Sequence, residues 1–215
     1  CTFASVLLCS MSSCTDGFQE ANRPGTGASL EDLSRDNYQT SSFLVQMENE
    51  AFPEQENAYQ MNEDLIGNYL GRYMTYANNG FAEKNFARLN APNGWVRYPF
   101  KDSMPKTVSA FKEIARVTKS EGPVYAWALI LRAQSFMRLT DMYGPLPIGA
   151  DATDGNAYSS QEDVYKSIIA DLNKATDVIK PLVASNPNVT IAEELDKVYQ
   201  GKMAKWLKYA NSLKL

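Results

Sequence analysis

"WALILRAQSFMRLTDMYGPLPI", residues 127–148, decides how the rest of the chain is read. Ala126, Leu129, Ile130, Ala133, Phe136 and Met137 recur at spacings of three and four, which marks one apolar side of an α-helix. Pro123 suits the first turn of that helix, where a missing N–H has no partner to lose. The helix then meets Tyr143, Gly144, Pro145 and Pro147. Gly144 can take a left-handed backbone, and the two prolines deny the next residues helical hydrogen bonds. The clasp therefore predicts a corner between paired helices, with Tyr143 packed under it.

On either side the same pattern recurs. Upstream, Phe43, Leu44 and Met47 begin an apolar face that Pro53 interrupts, after a possible capping pair at Ser29 and Asp32. A second helix is predicted over 57–77, carrying Tyr59, Leu65, Tyr69 and Tyr73, and another from Pro105, burying Val108, Phe111, Ile114 and Ala115. Downstream, Ser160 and Asp163 form a capping box for a helix that buries Val164, Ile168, Leu172, Ala175 and Ile179 and is expected to stop at Pro181. "NPNVTIAEELDKVYQG" reads as a polar connection, and a last helix is predicted from Lys202 onward. Each buried aliphatic side chain contributes roughly 1.5 to 3 kcal/mol, enough for these stripes to drive folding unaided. Small residues at Ala126, Ala133 and Ala175 allow helices to pair closely. The fold class is all-α, with tetratricopeptide-like helix pairs and long irregular loops, although no strict repeat is visible.

Composition narrows the function. Among 215 residues the net charge is −4 and the pI about 5.0, with Lys and Arg scattered among acids, so nucleic acid is not an expected partner. The sequence contains no histidine, which removes Ser-His-Asp and Cys-His chemistry and His-bearing zinc sites. Its three cysteines, Cys1, Cys9 and Cys14, cluster at the start and make neither a disulfide framework nor a spaced metal site. No cofactor or metal is expected.

Residues 1–13 read as the end of a lipoprotein signal peptide, with 3–8 as its apolar region. Met11-Ser12-Ser13-Cys14 resembles a bacterial lipobox, Met11 standing where Leu is usual. Cys14 is the expected lipidation residue, and residues 14–29, "CTDGFQEANRPGTGAS", form a polar tether. No later segment is apolar enough to span a bilayer. The remainder, 30–215, is expected to be one helical body, incomplete at its C-terminal end.

The stretch 78–100 breaks helical periodicity with Asn-Gly pairs, two prolines and five aromatics, Phe81, Phe86, Trp95, Tyr98 and Phe100, and is predicted as a long loop. Within it Asn93, Trp95, Arg97 and Tyr98 are the candidate ligand contacts. Sugars offer apolar C–H faces to an aromatic ring and hydroxyl rims to Asn or Arg. The competing expectation is that Phe86, Trp95 and Phe100 pin the loop to the helices beneath. Trp127 and Trp206 are expected in the core. The paired acids Glu48 and Glu50, Glu54 and Glu56, and Glu193 and Glu194 are expected as solvated surface charge. Neighbours on one helix do not face across a cleft as glycosidase carboxyls must.

"YAWALILRAQSFMRLTDMYGPLPI", "AYSSQEDVYKSIIADLNKA" and "GKMAKWLKYANSLKL", in that order, resemble three successive signatures of the SusD/RagB-type nutrient-binding outer-membrane lipoproteins, and "CTDGFQEANRPG" is similar to their lipidated cysteine and tether. The resemblance implies a lipid-anchored, surface-exposed, non-enzymatic protein with tetratricopeptide-like helix pairs. It also implies a SusC-type TonB-dependent transporter as partner and a glycan or peptide oligomer as ligand. A protein-interaction scaffold without a small-molecule site, or a carbohydrate-active enzyme, are the alternatives left open by the residues.

Overall fold

Residues 127–148 do form a helix and a corner, but the first half of the helix is covered on every side instead of showing one apolar face. A computed structural model describes residues 38–54, 57–78, 83–148 and 157–215. Their order is α1 (Tyr38–Ala51), α2 (Asn57–Tyr59) running on as a π-helical segment Gln60–Asn68, a 3-10 turn Phe86–Arg88, α3 (Asn93–Tyr98), a second π-helical segment Pro99–Ser103, α4 (Met104–Thr118), α5 (Gly122–Tyr143), α6 (Gln161–Ser185) and α7 (Met203–Leu213). No strand occurs among the described residues, where two isolated bridges join Leu146 to Ser159 and Thr190 to Lys202. The all-helical expectation is met. Residues 1–13, Cys14, the tether 14–29, the Ser29 and Asp32 pair, Glu56 and Phe81 lie outside the described residues.

All of residues 125–131 on α5 are buried, and α5 packs against α4, α6 and α7. The expected stripe of Ala126, Leu129, Ile130, Ala133 and Phe136 is buried as read, but so is the opposite side, including Trp127 and Leu131. Alanines at 126, 128, 133 and 175 let these rods approach. Two arginines on α5 meet partners because they cannot reach bulk water cheaply. Arg132 donates from Nε and Nη2 to the two Asp171 carboxylate oxygens on α6 at 2.7 and 2.5 Å, with its guanidinium 3.7 Å from the Phe111 ring of α4. Arg138 donates to the Glu50 and Ala51 carbonyls at 3.1 and 2.8 Å and to Glu63 at 2.5 Å. The last carbonyls of α1, which lack helical partners, are thereby satisfied by a side chain of α5.

The corner is closed by hydrogen bonds. Gly144 sits at φ 74 and ψ −114, a region closed to other residues, and its N–H donates to the Thr140 carbonyl at 2.7 Å. Thr140 Oγ1 donates back to the Gly144 carbonyl at 2.7 Å, and Gln161 Nε2 donates to the Thr140 carbonyl at 2.8 Å, tying the corner to the start of α6. Ser160 caps α6 as predicted, accepting from the Asp163 N–H at 3.2 Å.

Three expectations are corrected. The helix predicted over 57–77 leaves helical structure after Leu70, and much of it is π-helical, so Tyr73 lies on the turn beyond it. Pro181 does not stop α6, which continues to Ser185. Pro181 is exposed, so water can meet the carbonyl that loses its N–H donor, while Val183 beyond it still packs on the core. Glu48 is not solvated surface charge: it is buried against the loop before α7, and Glu50 pairs with Lys106 at 3.3 Å. Glu54, Glu193 and Glu194 are exposed as expected.

The "polar connection" before α7 is built around Asp196. Its carboxylate accepts from the Val198, Tyr199 and Gly201 N–H groups and from the Trp206 indole at 2.9, 2.8, 2.8 and 2.7 Å. Trp206 is fully buried and lies 5.5 Å from the Trp127 ring. Both tryptophans are core, as expected. Gly201, at φ 70, is where the loop crosses itself, and a Cβ there would stand 2.5 Å from the Ile191 carbonyl oxygen.

Three substitutions test this packing. Gly144→Ala suffers only an unfavourable backbone, since a Cβ there meets nothing within 4 Å, and should cost about 1 to 2 kcal/mol. Gly201→Ala adds a backbone clash and should cost roughly twice as much, read from urea midpoints at unchanged slope. Asp171→Ala strands the Arg132 guanidinium between α4 and α6 and should cost about 3 kcal/mol by the same measurement; a loss below about 1 kcal/mol would show that water reaches the pair.

Candidate functional site

The candidate residues lie on a helix and not in a loop. Pro92 accepts the first N–H groups of α3, from Trp95 at 3.0 Å and Val96 at 3.2 Å, and the chain then runs through Pro99–Ser103 into α4 without leaving helical structure. Pro99 and Pro105 lack the donors that a tight i to i−4 ladder needs, and between them the helix widens to π geometry, with Met104 N–H bonded to the Pro99 carbonyl. The predicted loop is therefore confined to the part before residue 93.

Helical register divides the four candidates. Asn93 and Arg97, four residues apart, are exposed on one side of α3, while Trp95 and Tyr98 are half-buried on another. The Trp95 ring stacks on Phe86, centroids 6.3 Å apart and planes at 25°, and Phe86 is itself buried. Phe86 and Phe100 act as pins, as the competing reading held: Phe100 packs edge-on against Tyr143 at 5.7 Å. Tyr143, at the corner, packs partly buried against the core, and its hydroxyl donates to the Val96 carbonyl at 2.5 Å. Burial holds that phenol above the usual tyrosine range, so it remains a donor.

Val96, between the candidates, is where two clefts meet. One, of about 620 Å³, is walled by Val96, Arg97, Phe100, Lys101, Pro105, Tyr143, Pro145 and Tyr158. Its exposed ring is Tyr158, parallel to Phe100 at 6.3 Å and 10°. The other, of about 520 Å³, shares Val96 and Tyr143 and runs between the 60–71 segment and the end of α5, past Ile66, Leu70, Phe86, Arg138, Asp141 and Met142. A third, of about 540 Å³, shares Leu70 and Phe86 with the second and carries Tyr69, Arg72, Tyr73, Met74 and Leu89. The Tyr73 and Leu89 side chains are 84% exposed there. The second cleft thus shares wall residues with each of the other two, and each of those carries an exposed tyrosine, Tyr158 in the first and Tyr73 in the third.

The π-helical segments shape this surface. Asn62 Nδ2 donates to Ser103 Oγ at 3.1 Å, joining Gln60–Asn68 to Pro99–Ser103 through two buried side chains. Two carboxylates, Glu63 and Asp141, line the middle cleft. Both are engaged: Glu63 by Arg138, and Asp141 by the Tyr165 hydroxyl, whose pKa that hydrogen bond and burial push up to about 12. Among the described residues no group of acids or cysteines could hold a metal ion, and no helix is long and apolar enough to cross a membrane.

Tyr158 and Tyr73 escaped the sequence reading. Tyr158 comes to Phe100 only because Leu146 and Ser159 pair across the corner at 3.2 and 2.9 Å. Tyr73 reads as helical by spacing, yet Tyr73 and Met74 N–H groups turn back to the Asn68 carbonyl at 2.9 and 3.1 Å.

The chain is similar to several solved structures. They include a SusD homologue from Bacteroides uniformis (29% identity, TM-score 0.72, 83% of this chain and 37% of that one) and a SusD-like protein from Bacteroides thetaiotaomicron (26%, 0.70, 81% and 36%). A chitin-binding SusD homologue from Flavobacterium johnsoniae also matches (26%, 0.66, 81% and 37%). The chain thus spans little more than a third of the length of these structures. No curated protein matches it. The family model SusD-like, described as Susd and RagB outer membrane lipoprotein, matches residues 20–215, and the chain belongs to that family.

Proposed function

We propose that this chain is the helical scaffold and part of the capture surface of a lipid-anchored, non-enzymatic nutrient-binding protein. A glycan oligomer lies along the three adjoining clefts, and the protein passes it to a SusC-type TonB-dependent transporter in the outer membrane. Cys14 carries the lipid, residues 14–29 are the tether, and 30–215 belong to the folded body at the cell surface. The observation that carries the reading is the sharing of walls between the clefts, through Val96 and Tyr143 and through Leu70 and Phe86, with Tyr158 exposed in the first and Tyr73 in the third. An extended concave surface suits an oligomer better than a small metabolite. Exposed rings suit the C–H faces of sugars, and Asn93 and Arg97 supply hydroxyl partners on the exposed side of α3. The chitin-binding relative is consistent with a glycan in preference to a peptide. A passive scaffold would have no use for exposed tyrosines in two of three adjoining clefts. A hydrolase would need an acid and a base facing substrate, whereas Glu63 and Asp141 are already bonded to Arg138 and Tyr165. Capture for delivery requires several weak contacts that release together, which a shallow run of subsites provides.

Isothermal titration of the full-length protein against panels of glycan and peptide oligomers tests this. Binding should grow with oligomer length, and Tyr158→Ala, Tyr73→Ala and Arg97→Ala should each weaken it by roughly tenfold, the loss of one stacked ring or charged hydrogen bond at about 1.4 kcal/mol. Absence of heat with every oligomer would overturn the capture role. Growth with labelled palmitate should mark the wild-type protein and not Cys14→Ala, which should move from the membrane to the soluble fraction; label retained by the variant would remove Cys14 as the anchor.

A further inference from the structure

Two carboxyl groups join α1 to the loop before α7, facing each other away from water. Glu48 and Asp196 are each 3% exposed, and a single backbone donor, the Val198 N–H, reaches both carboxyls, 3.2 Å from a Glu48 oxygen and 2.9 Å from an Asp196 oxygen. Two negative charges brought to one donor and away from water repel each other, which favours one proton held between the two carboxyls. The surroundings decide where it sits. Asp196 accepts from four N–H groups, those of Val198, Tyr199, Gly201 and Trp206, the first of them shared with Glu48. Burial alone would raise its pKa, but the hydrogen bonds from Tyr199, Trp206, Glu48 and Gly201 hold it below the ordinary aspartate range. Glu48 has only two long backbone contacts, with the Lys197 N–H at 3.4 Å and the Val198 N–H at 3.2 Å. Burial first, then the hydrogen bond and charge of Asp196, push its carboxyl up to about 7. The proton therefore belongs to Glu48, which donates to Asp196.

The cations around the pair are committed elsewhere. Lys197 on the same loop reaches outward to Glu54 at 2.8 Å, and Lys106 of α4 pairs with Glu50 at 3.3 Å. Arg138 of α5 is held by Glu63 and the last carbonyls of α1, and Lys205 of α7 lies over the Tyr199 ring. Tyr199 and Phe52 pack against Trp206 at 5.0 and 6.1 Å, making the surroundings aromatic and poor in water.

We infer that Glu48 and Asp196 form a one-proton clasp that fastens α1 to the loop before α7, and that loss of the shared proton loosens this attachment. Glu48 binds its proton more tightly folded than unfolded, so its contribution to stability is complete below its ordinary pKa of 4.5. It fades as pH rises toward about 7 and falls no further above that. Asp196 acts in the opposite sense and loses its contribution only when acid protonates it, below its ordinary 3.8. The attachment is tightest in mildly acidic solution.

Amide hydrogen exchange of the full-length protein, corrected for the intrinsic pH dependence of exchange, tests the clasp. Protection of the Val198, Tyr199 and Gly201 amides should fall at least tenfold between pH 5.5 and pH 8.5. Glu48→Gln, which keeps a donor and cannot ionise, should remove that fall. Equal protection at both pH values in the wild type, or an unchanged fall in Glu48→Gln, would overturn the proposal. Carbon-13 titration of the wild-type Glu48 carboxyl decides the matter even if the variant does not fold. A midpoint near 7 is expected, and one near 4.5 would refute the clasp.

Discussion

Enclosure of the first half of α5 on all sides sets the terms for every element around it. Seven consecutive buried residues leave no solvent face over two turns of the helix, and Arg132 and Arg138, only partly exposed beyond that run, are met by their neighbours. Asp171 on α6 and the Phe111 ring on α4 accept the first, and Glu63 with the last carbonyls of α1 accepts the second. These contacts fix which helices lie against which faces. α1, which makes little close helix contact, is positioned by side chains reaching into it: Arg138 at its end, Lys106 on Glu50, and the Asp196 loop on Glu48.

The concave surface is a by-product of the same constraint at the end of α5. Gly144 must turn the chain sharply once the buried rod ends, and the Leu146 and Ser159 pairing swings Tyr158 back onto Phe100. Opposite it, two π-helical segments joined by Asn62 and Ser103 set the wall formed by α3 and the 60–71 stretch. Wider helical turns are frequent where function demands an unusual side-chain presentation. Here they stand beside Val96, the residue shared by two clefts. The corner at Gly144 is thus both a structural stop and one rim of the proposed capture surface.

Much of the fold was legible in the sequence because apolar spacing and capping chemistry are local. The α6 stripe from Val164 to Ile179 and the Ser160 cap need only a few neighbouring residues to be recognised. The Asn93, Trp95, Arg97 and Tyr98 group was locatable as chemistry but not as geometry. Asn-Gly and two prolines read as breakers, whereas Pro92 carbonyl acceptance and π widening allow a helix to form through them. Tyr158 lay 58 positions from Phe100 with no periodic link between them.

Taken alone, the sequence determined that the chain is helical, that a corner follows Tyr143, that this chain has no histidine, and the order of motifs that places it among SusD-like lipoproteins. Those properties reside in short segments, whose hydrogen bonding and apolar spacing are settled within a few residues. Only the tertiary structure decided that the first half of α5 is enclosed, that Glu48 faces Asp196 across 148 positions of chain, and that three clefts share walls. Burial and pairing of this kind depend on which distant surfaces meet, and that is set by the packing of whole helices.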